Sequence, residues 1–171
     1  MDSYRNAVKY LSENLIENEF SNKGPEHAAI VLEHMLKKTE NEIRFFSGSF
    51  NQNVTKDTYF MKELDKFLSS DKKFFLFLEN IPTTSNISPA LAKVMEYSVK
   101  YPDRIIYKKI PEAFINELKS RFQSGNVYHF TVSDSSSYRI EVDKMNYKAV
   151  CNFNDSNIAL KLKEIFDNHF F

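Results

Sequence analysis

The chain has 171 residues, the length of one domain, and can bury a core without disulfide or metal staples. Its 23 basic and 23 acidic side chains cancel. No global charge bias therefore favours non-specific duplex binding, and only local basic patches remain as a nucleic-acid surface. Hydrophobic residues at 42 % and aromatic residues at 15 % exclude a disordered chain. The single cysteine, Cys151, excludes an intrachain disulfide and a multi-cysteine zinc site, and it suits a reducing cytoplasm.

Residues 3 to 18 carry Tyr4, Val8, Leu11, Leu15 and Ile16 at spacings of three and four, which predicts an amphipathic helix. This charged, amphipathic start is unlike a secretory signal. Ser21 to Gly24 breaks the pattern, and Pro25 opens a second helix with Ala28, Val31, Leu32, Met35 and Leu36 on one face. His27 and His34 lie seven apart, too far to share one ion, and are expected to be solvated or capping. Asn41 to Phe46 reads as a strand ending in Ser47-Gly48-Ser49-Phe50-Asn51. A strand followed by a small polar loop and a helix is where open α/β sheets place ligands, so Ser47, Ser49 and Asn51 are candidate binding residues. Backbone N–H groups beside Gly48 offer an anion contact; an ordinary tight turn is the alternative.

A helix from about Thr55 to Leu68 buries Phe60, Leu64, Phe67 and Leu68. Lys73 to Leu78 is the most apolar strand, and its unbroken run from Phe74 to Leu78 predicts burial on both faces in a central position. It is also the longest apolar run, far short of a bilayer span. After a loop at Pro82 to Asn86, Pro89 starts a helix with Leu91, Val94, Met95 and Val99 inward. Arg104 to Ile110 is a third strand, and Pro111 starts a helix with Phe114, Ile115, Leu118 and Phe122 inward, ended at Gly125. This alternation predicts a parallel sheet with right-handed crossovers. The rhythm then changes. Val127 to Ser133, Tyr138 to Val142 and Tyr147 to Cys151 are strands joined by short turns and must run antiparallel. Cys151 lies in an apolar strand and is expected to be a buried structural thiol. Asn154, Asp155 or Ser156 caps a last helix whose face is Ile158, Leu162, Ile165, Phe166 and Phe170. The expected fold is α/β: a mixed sheet with a parallel β-α core followed by antiparallel strands, flanked by helices. It is one domain over 1–171 with an N-terminal helical extension of about 1–24.

The segment from Asn126 to Glu141 concentrates polar groups: His129, Asp134, Tyr138, Arg139 and Glu141. Alternation puts Tyr138 on one strand face and Arg139 and Glu141 on the other. Antiparallel pairing brings His129 or Asp134 within reach of Arg139 or Glu141. Such a set reads as a plain buried ion network, a ligand-binding set or a rebuilt catalytic site.

The order β-α-β-α-β-α-β-β-β-α, closed by Asn154-Asp155 and an amphipathic helix ending in aromatics, resembles one half of a phospholipase D superfamily fold over about Pro25 to Phe171. That family's signature is His-x-Lys-x4-Asp followed by Gly-Ser-x-Asn. The resemblance implies a histidine that attacks phosphorus, a lysine and an asparagine that hold phosphate, and two motifs meeting in one site. Asp134 takes the place of the motif aspartate. The lysine position then falls on His129, the histidine position on Val127, and the glycine-serine pair near Glu141 and Val142. A valine has no lone pair to offer phosphorus.

The first functional expectation is therefore a catalytically degenerate phospholipase D-like binding or regulatory module. It would be a cytoplasmic homodimer without a membrane span, with a nucleic acid or protein partner in a bacterial or phage nucleic-acid-related (defence) system. The rival is a metal-independent phosphodiesterase or nuclease, with His129 as nucleophile or general base, Asp134 and Glu141 as further catalytic groups, and Arg139, Tyr138, Ser47, Ser49 and Asn51 binding the ligand. Neither reading calls for a cofactor or metal. In a third, the N-terminal helices dock on a partner or a second subunit.

Overall fold

The computed structural model describes residues 1–50, 52–83, 86–122 and 126–171. Helix α1 (Asp2–Glu13) leads into a short strand β1 (Phe20–Asn22) and helix α2 (Pro25–Lys38). A β-α series follows: β2 (Glu42–Ser47), α3 (Gln52–Thr55), α4 (Thr58–Ser69), β3 (Lys73–Leu78), α5 (Pro89–Lys100), β4 (Ile105–Lys109) and α6 (Glu112–Arg121). The chain ends in β5 (Phe130–Ser133), β6 (Ser137–Asp143), β7 (Lys148–Asn152) and α7 (Ser156–Phe170).

The strands form one sheet in the order β1-β7-β6-β5-β2-β3-β4. Strands β2, β3 and β4 are parallel, β5 runs antiparallel to β2, and β5, β6 and β7 form an antiparallel meander. The sheet is thus mixed and flanked by helices on both faces. Period-two alternation sorts the core into two layers. Ile43, Phe45, Phe74, Leu76, Ala149 and Cys151 pack with α2, α4 and α5. Phe46, Phe75, Phe77, Phe130, Val132 and Tyr138 pack with α6 and α7. Both layers draw on β3, which explains its unbroken apolar run; it is nevertheless not central, since only β4 separates it from the sheet edge.

Capping follows local chemistry. Asp57 accepts from the Phe60 N–H at the start of α4, Ser88 from Leu91 in α5, and Asp155 from Asn157 and Ile158 in α7. Of the three residues expected to cap the last helix, Asp155 does so.

Several expectations are corrected. The first helix stops at Glu13, and Leu15 takes a left-handed φ of 47°. The N-terminal segment is not purely helical, because Phe20–Asn22 pairs with β7 at the sheet edge. The helix expected from about Thr55 to Leu68 is α4, which starts at Thr58 behind the Asp57 cap, and the short helix α3 precedes it. Val99 points to solvent, being one position off the buried stripe of Leu91 and Val94. His34 is buried, with its Nδ1 3.1 Å from Ser12 Oγ of α1, because α1 covers the face of α2 that the sequence left open. Strand β5 begins at Phe130 rather than Val127. Cys151 is buried, and burial pushes its thiol up to about 12. Among the described residues, no helix is long and apolar enough to cross a membrane.

Candidate functional site

The site lies where the sheet changes from parallel to antiparallel, at the carboxyl ends of β2 and β3. There the chain leaves β2 through Ser47 and Gly48, and Ser47 Oγ accepts from the Phe50 N–H at 3.1 Å. Phe50 holds a left-handed φ of 55°, and its carbonyl accepts from Ser88 Oγ at 2.8 Å. Glu79 follows β3 directly, and its N–H donates to the Ser47 carbonyl at 3.0 Å. His129 precedes β5 and faces β6, where the Glu141 N–H donates to its carbonyl at 2.8 Å.

These positions assemble a polar chain across the sheet. His129 Nδ1 lies 3.1 Å from Glu141 Oε2. Arg139 Nη2 lies 3.4 Å from Glu141 Oε1, and Arg139 Nε donates to Asn22 Oδ1 of β1 at 3.0 Å. On the other side, His129 Nε2 is 3.2 Å from Glu79 Oε1, which also takes Lys144 Nζ at 3.2 Å. The His129–Glu79 approach is close enough for an ion pair but off line for a hydrogen bond, so Nε2 is buried without a hydrogen-bond partner. Gly48 sits against the same ring: a Cβ there would lie 3.2 Å from His129 Cε1 and 3.5 Å from Glu79 Oε2.

Burial alone would raise the Glu141 carboxyl, but the hydrogen bond from His129 and the Arg139 charge outweigh it and hold the group below the usual carboxylate range. Glu79 behaves likewise: burial opposes ionisation, and the His129 and Lys144 charges prevail.

Beside this chain opens a cavity of about 190 Å³ between the sheet and helices α2 and α3. Leu32, Phe45 and Val54 supply apolar lining; Ser47, Ser49, Thr131, His129, Arg139 and Glu141 supply polar lining. The turn after β6 adds Lys144 and Tyr147, whose hydroxyl accepts from Asn53 Nδ2 at 2.9 Å. Among the described residues, no cluster of three or more His, Cys, Asp or Glu side chains is arranged to hold a metal ion.

Of the candidate residues, the cavity brings together Ser47, Ser49, His129, Arg139 and Glu141. Two others are corrected. Asp134 lies at the far end of β5, where its carboxylate accepts from the backbone N–H groups of Glu40, Asn41 and Glu42 at 2.8, 2.9 and 3.1 Å. It clasps the α2–β2 connection. Tyr138 faces the opposite layer, packed with α6 and α7; burial and the neighbouring Asp155 push its phenol up to about 12. Asn51 lies outside the described residues. Sequence reasoning missed Glu79, Lys144 and Asn22. Only Glu79 carried a signal, as the first polar residue at the carboxyl end of a parallel strand.

No protein-family model matches the chain, and no curated relative matches it. Solved structures do match in shape. An archaeal chromatin protein, TrmBL2, described as showing a novel mode of DNA binding, superposes with a TM-score of 0.57 at 15 % identity, over 98 % of this chain. This chain spans only 58 % of that protein's length. NucT from Helicobacter pylori superposes with a TM-score of 0.55 at 11 % identity, over 90 % of this chain and 96 % of its own. Polyphosphate kinase from Porphyromonas gingivalis gives 0.50 at 13 % identity, over 93 % of this chain and 25 % of its own. The fold is phospholipase D-like. At these identities the fold is what the likeness conveys.

Proposed function

We propose that this chain is a phospholipase D-like module that binds a ligand rather than hydrolysing a phosphodiester, acting as a regulatory domain paired with a second copy of itself. The observation that carries the reading is the setting of His129. An imidazole that attacks phosphorus needs a free lone pair in line with the phosphate. Nδ1 of His129 is engaged by Glu141, and Nε2 is buried against Glu79 Oε1 beside the Gly48 backbone. A carboxylate on that side repels an incoming phosphate. Val127, which the resemblance sets at the attacking position, cannot form the bond.

The test is turnover. The full chain is incubated with a chromogenic phosphodiester and with oligonucleotides, with and without chelator. No turnover above the blank is expected; turnover that survives chelation and disappears in His129→Ala overturns the reading. Self-association is tested by light scattering, which should give about twice the chain mass. A nucleic-acid-related role draws its support from the DNA binding described for the chromatin protein of similar fold. Fluorescence anisotropy with labelled duplex at two salt concentrations tests it, and absence of binding at low salt removes it.

A further inference from the structure

We infer that the cavity beside His129 holds a planar ring by a cyclic-amide edge, the adjacent C=O and N–H that a uracil-type base presents. The inference rests on the binding-module reading above and names the ligand chemistry. Strand register leads to it. Phe45, Thr131 and Arg139 are cross-strand neighbours on β2, β5 and β6, and all three line the cavity. The Arg139 side chain, 7 % exposed, is bonded through Nε to Asn22 and through Nη2 to Glu141. Among the described residues its Nη1 has no hydrogen-bond partner, yet this atom is not sealed off as His129 Nε2 is. Thr131 is 3 % exposed, and among the described residues its hydroxyl likewise has no partner. Two donors thus share the cavity floor with no acceptor from the protein, and an oxygen acceptor placed there is stabilised by both.

Glu141, also buried and lining the cavity, supplies the complement. Its Oε2 meets His129 Nδ1 at 3.1 Å and its Oε1 meets Arg139 Nη2 at a long 3.4 Å. A carboxylate offers about four acceptor sites, so room remains for a ligand N–H. A guanidinium beside a carboxylate therefore presents a donor and an acceptor side by side, which an adjacent C=O and N–H satisfy together. Neither role depends on the proton at His129 Nε2. An anion that reaches Arg139 also meets the Glu141 carboxylate, and an amine that reaches Glu141 also meets the guanidinium. A neutral edge escapes both penalties. Leu32, Phe45, Phe50 and Val54 give the ring an apolar slot. The volume of about 190 Å³ suits a single ring, since a cavity of about 150 Å³ already takes benzene.

The experiment is isothermal titration calorimetry of the full chain with 1-methyluracil and with 1,3-dimethyluracil, which keeps the ring and both carbonyls but lacks the N–H. Saturable binding of 1-methyluracil, about tenfold or more tighter than the dimethyl ring, is expected. Sodium benzoate and butylamine, as charged controls, should bind more weakly than 1-methyluracil. Thr131→Val removes a hydroxyl without a protein partner, so it should keep the melting temperature and weaken 1-methyluracil about fivefold. If that variant is destabilised, the comparison of the two rings on the wild-type chain decides. Thymidine 5′-monophosphate and a short oligothymidylate separate the sources of the edge. Tighter binding of the oligonucleotide, lost on N3-methylation of its thymines, assigns a base in a single strand; equal or weaker binding assigns the free nucleotide. The inference is overturned if the dimethyl ring binds as tightly, if benzoate or butylamine binds more tightly, if a folded Thr131→Val binds 1-methyluracil unchanged, or if no ring saturates. Phosphodiester turnover on the same preparation reports separately: turnover removes the binding-module reading, whereas failure of the uracils removes only the ligand class.

Discussion

Replacing Glu141 by Gln keeps the side-chain shape and deletes the charge between His129 and Arg139. The carboxylate is 11 % exposed and bridges His129 Nδ1 at 3.1 Å and Arg139 Nη2 at 3.4 Å. Breaking a buried charge pair from one side costs about 3–5 kcal/mol, because the remaining charge stays buried. The long Arg139 contact, and the second acceptor that Asn22 gives this guanidinium, place Glu141→Gln near the lower end, about 3 kcal/mol. With a urea slope of about 2 kcal/mol/M, the unfolding midpoint at pH 7 should fall by about 1.5 M. The pH dependence adds an independent check. The Glu141 carboxyl is held below its ordinary 4.5, so its stabilisation is present above that pH and is lost as pH falls through the folded value. The gap between wild type and Glu141→Gln should therefore narrow on acidification. Equilibrium urea unfolding followed by circular dichroism from pH 7 to pH 3 measures both. A loss under about 1 kcal/mol, the size of an exposed pair, or a gap that does not change with pH, would refute the bridged arrangement.

Gly48→Ala sets a Cβ 3.2 Å from His129 Cε1; overpacking of this kind costs about 1–3 kcal/mol and should lower the melting temperature by several degrees. An unchanged melting temperature would mean that the ring has room to shift. Burial lowers His34 from its ordinary 6.5 to about 4, so between those values the unfolded chain binds a proton that the folded chain does not, and stability falls as pH drops. His34→Gln should remove that slope, worth up to about 3 kcal/mol at about 1.4 kcal/mol per unit; parallel pH–stability curves would contradict it. Asp134→Ala loses three charge-assisted hydrogen bonds to backbone and should cost about 2 kcal/mol while leaving the His129 ring NMR signals in place. Moved His129 signals without loss of stability would reassign Asp134 to the site.

The amino-acid sequence by itself determined the order of elements, the apolar faces of the helices, the burial of Cys151 and the change of strand direction after Gly125. These follow from local rules: periodicity of 2 or 3.6, capping residues, and turns too short for a crossover. It also separated Tyr138 from Arg139 and Glu141 by alternation, without saying which side held the cavity. That side was decided by tertiary packing, which brings residues of α2 and α3 to line one cavity with residues of β2, β5 and β6. The pairing of β1 with β7 and the burial of His34 under α1 were likewise beyond local reading, since a three-residue strand carries no pattern and the apolar face of a helix does not name what it packs against. The composition of the polar chain is the clearest case. Glu79 and Lys144 stand 65 positions apart and Asn22 and Arg139 stand 117 apart. Only strand register brings them within reach of His129, and register belongs to the sheet as a whole.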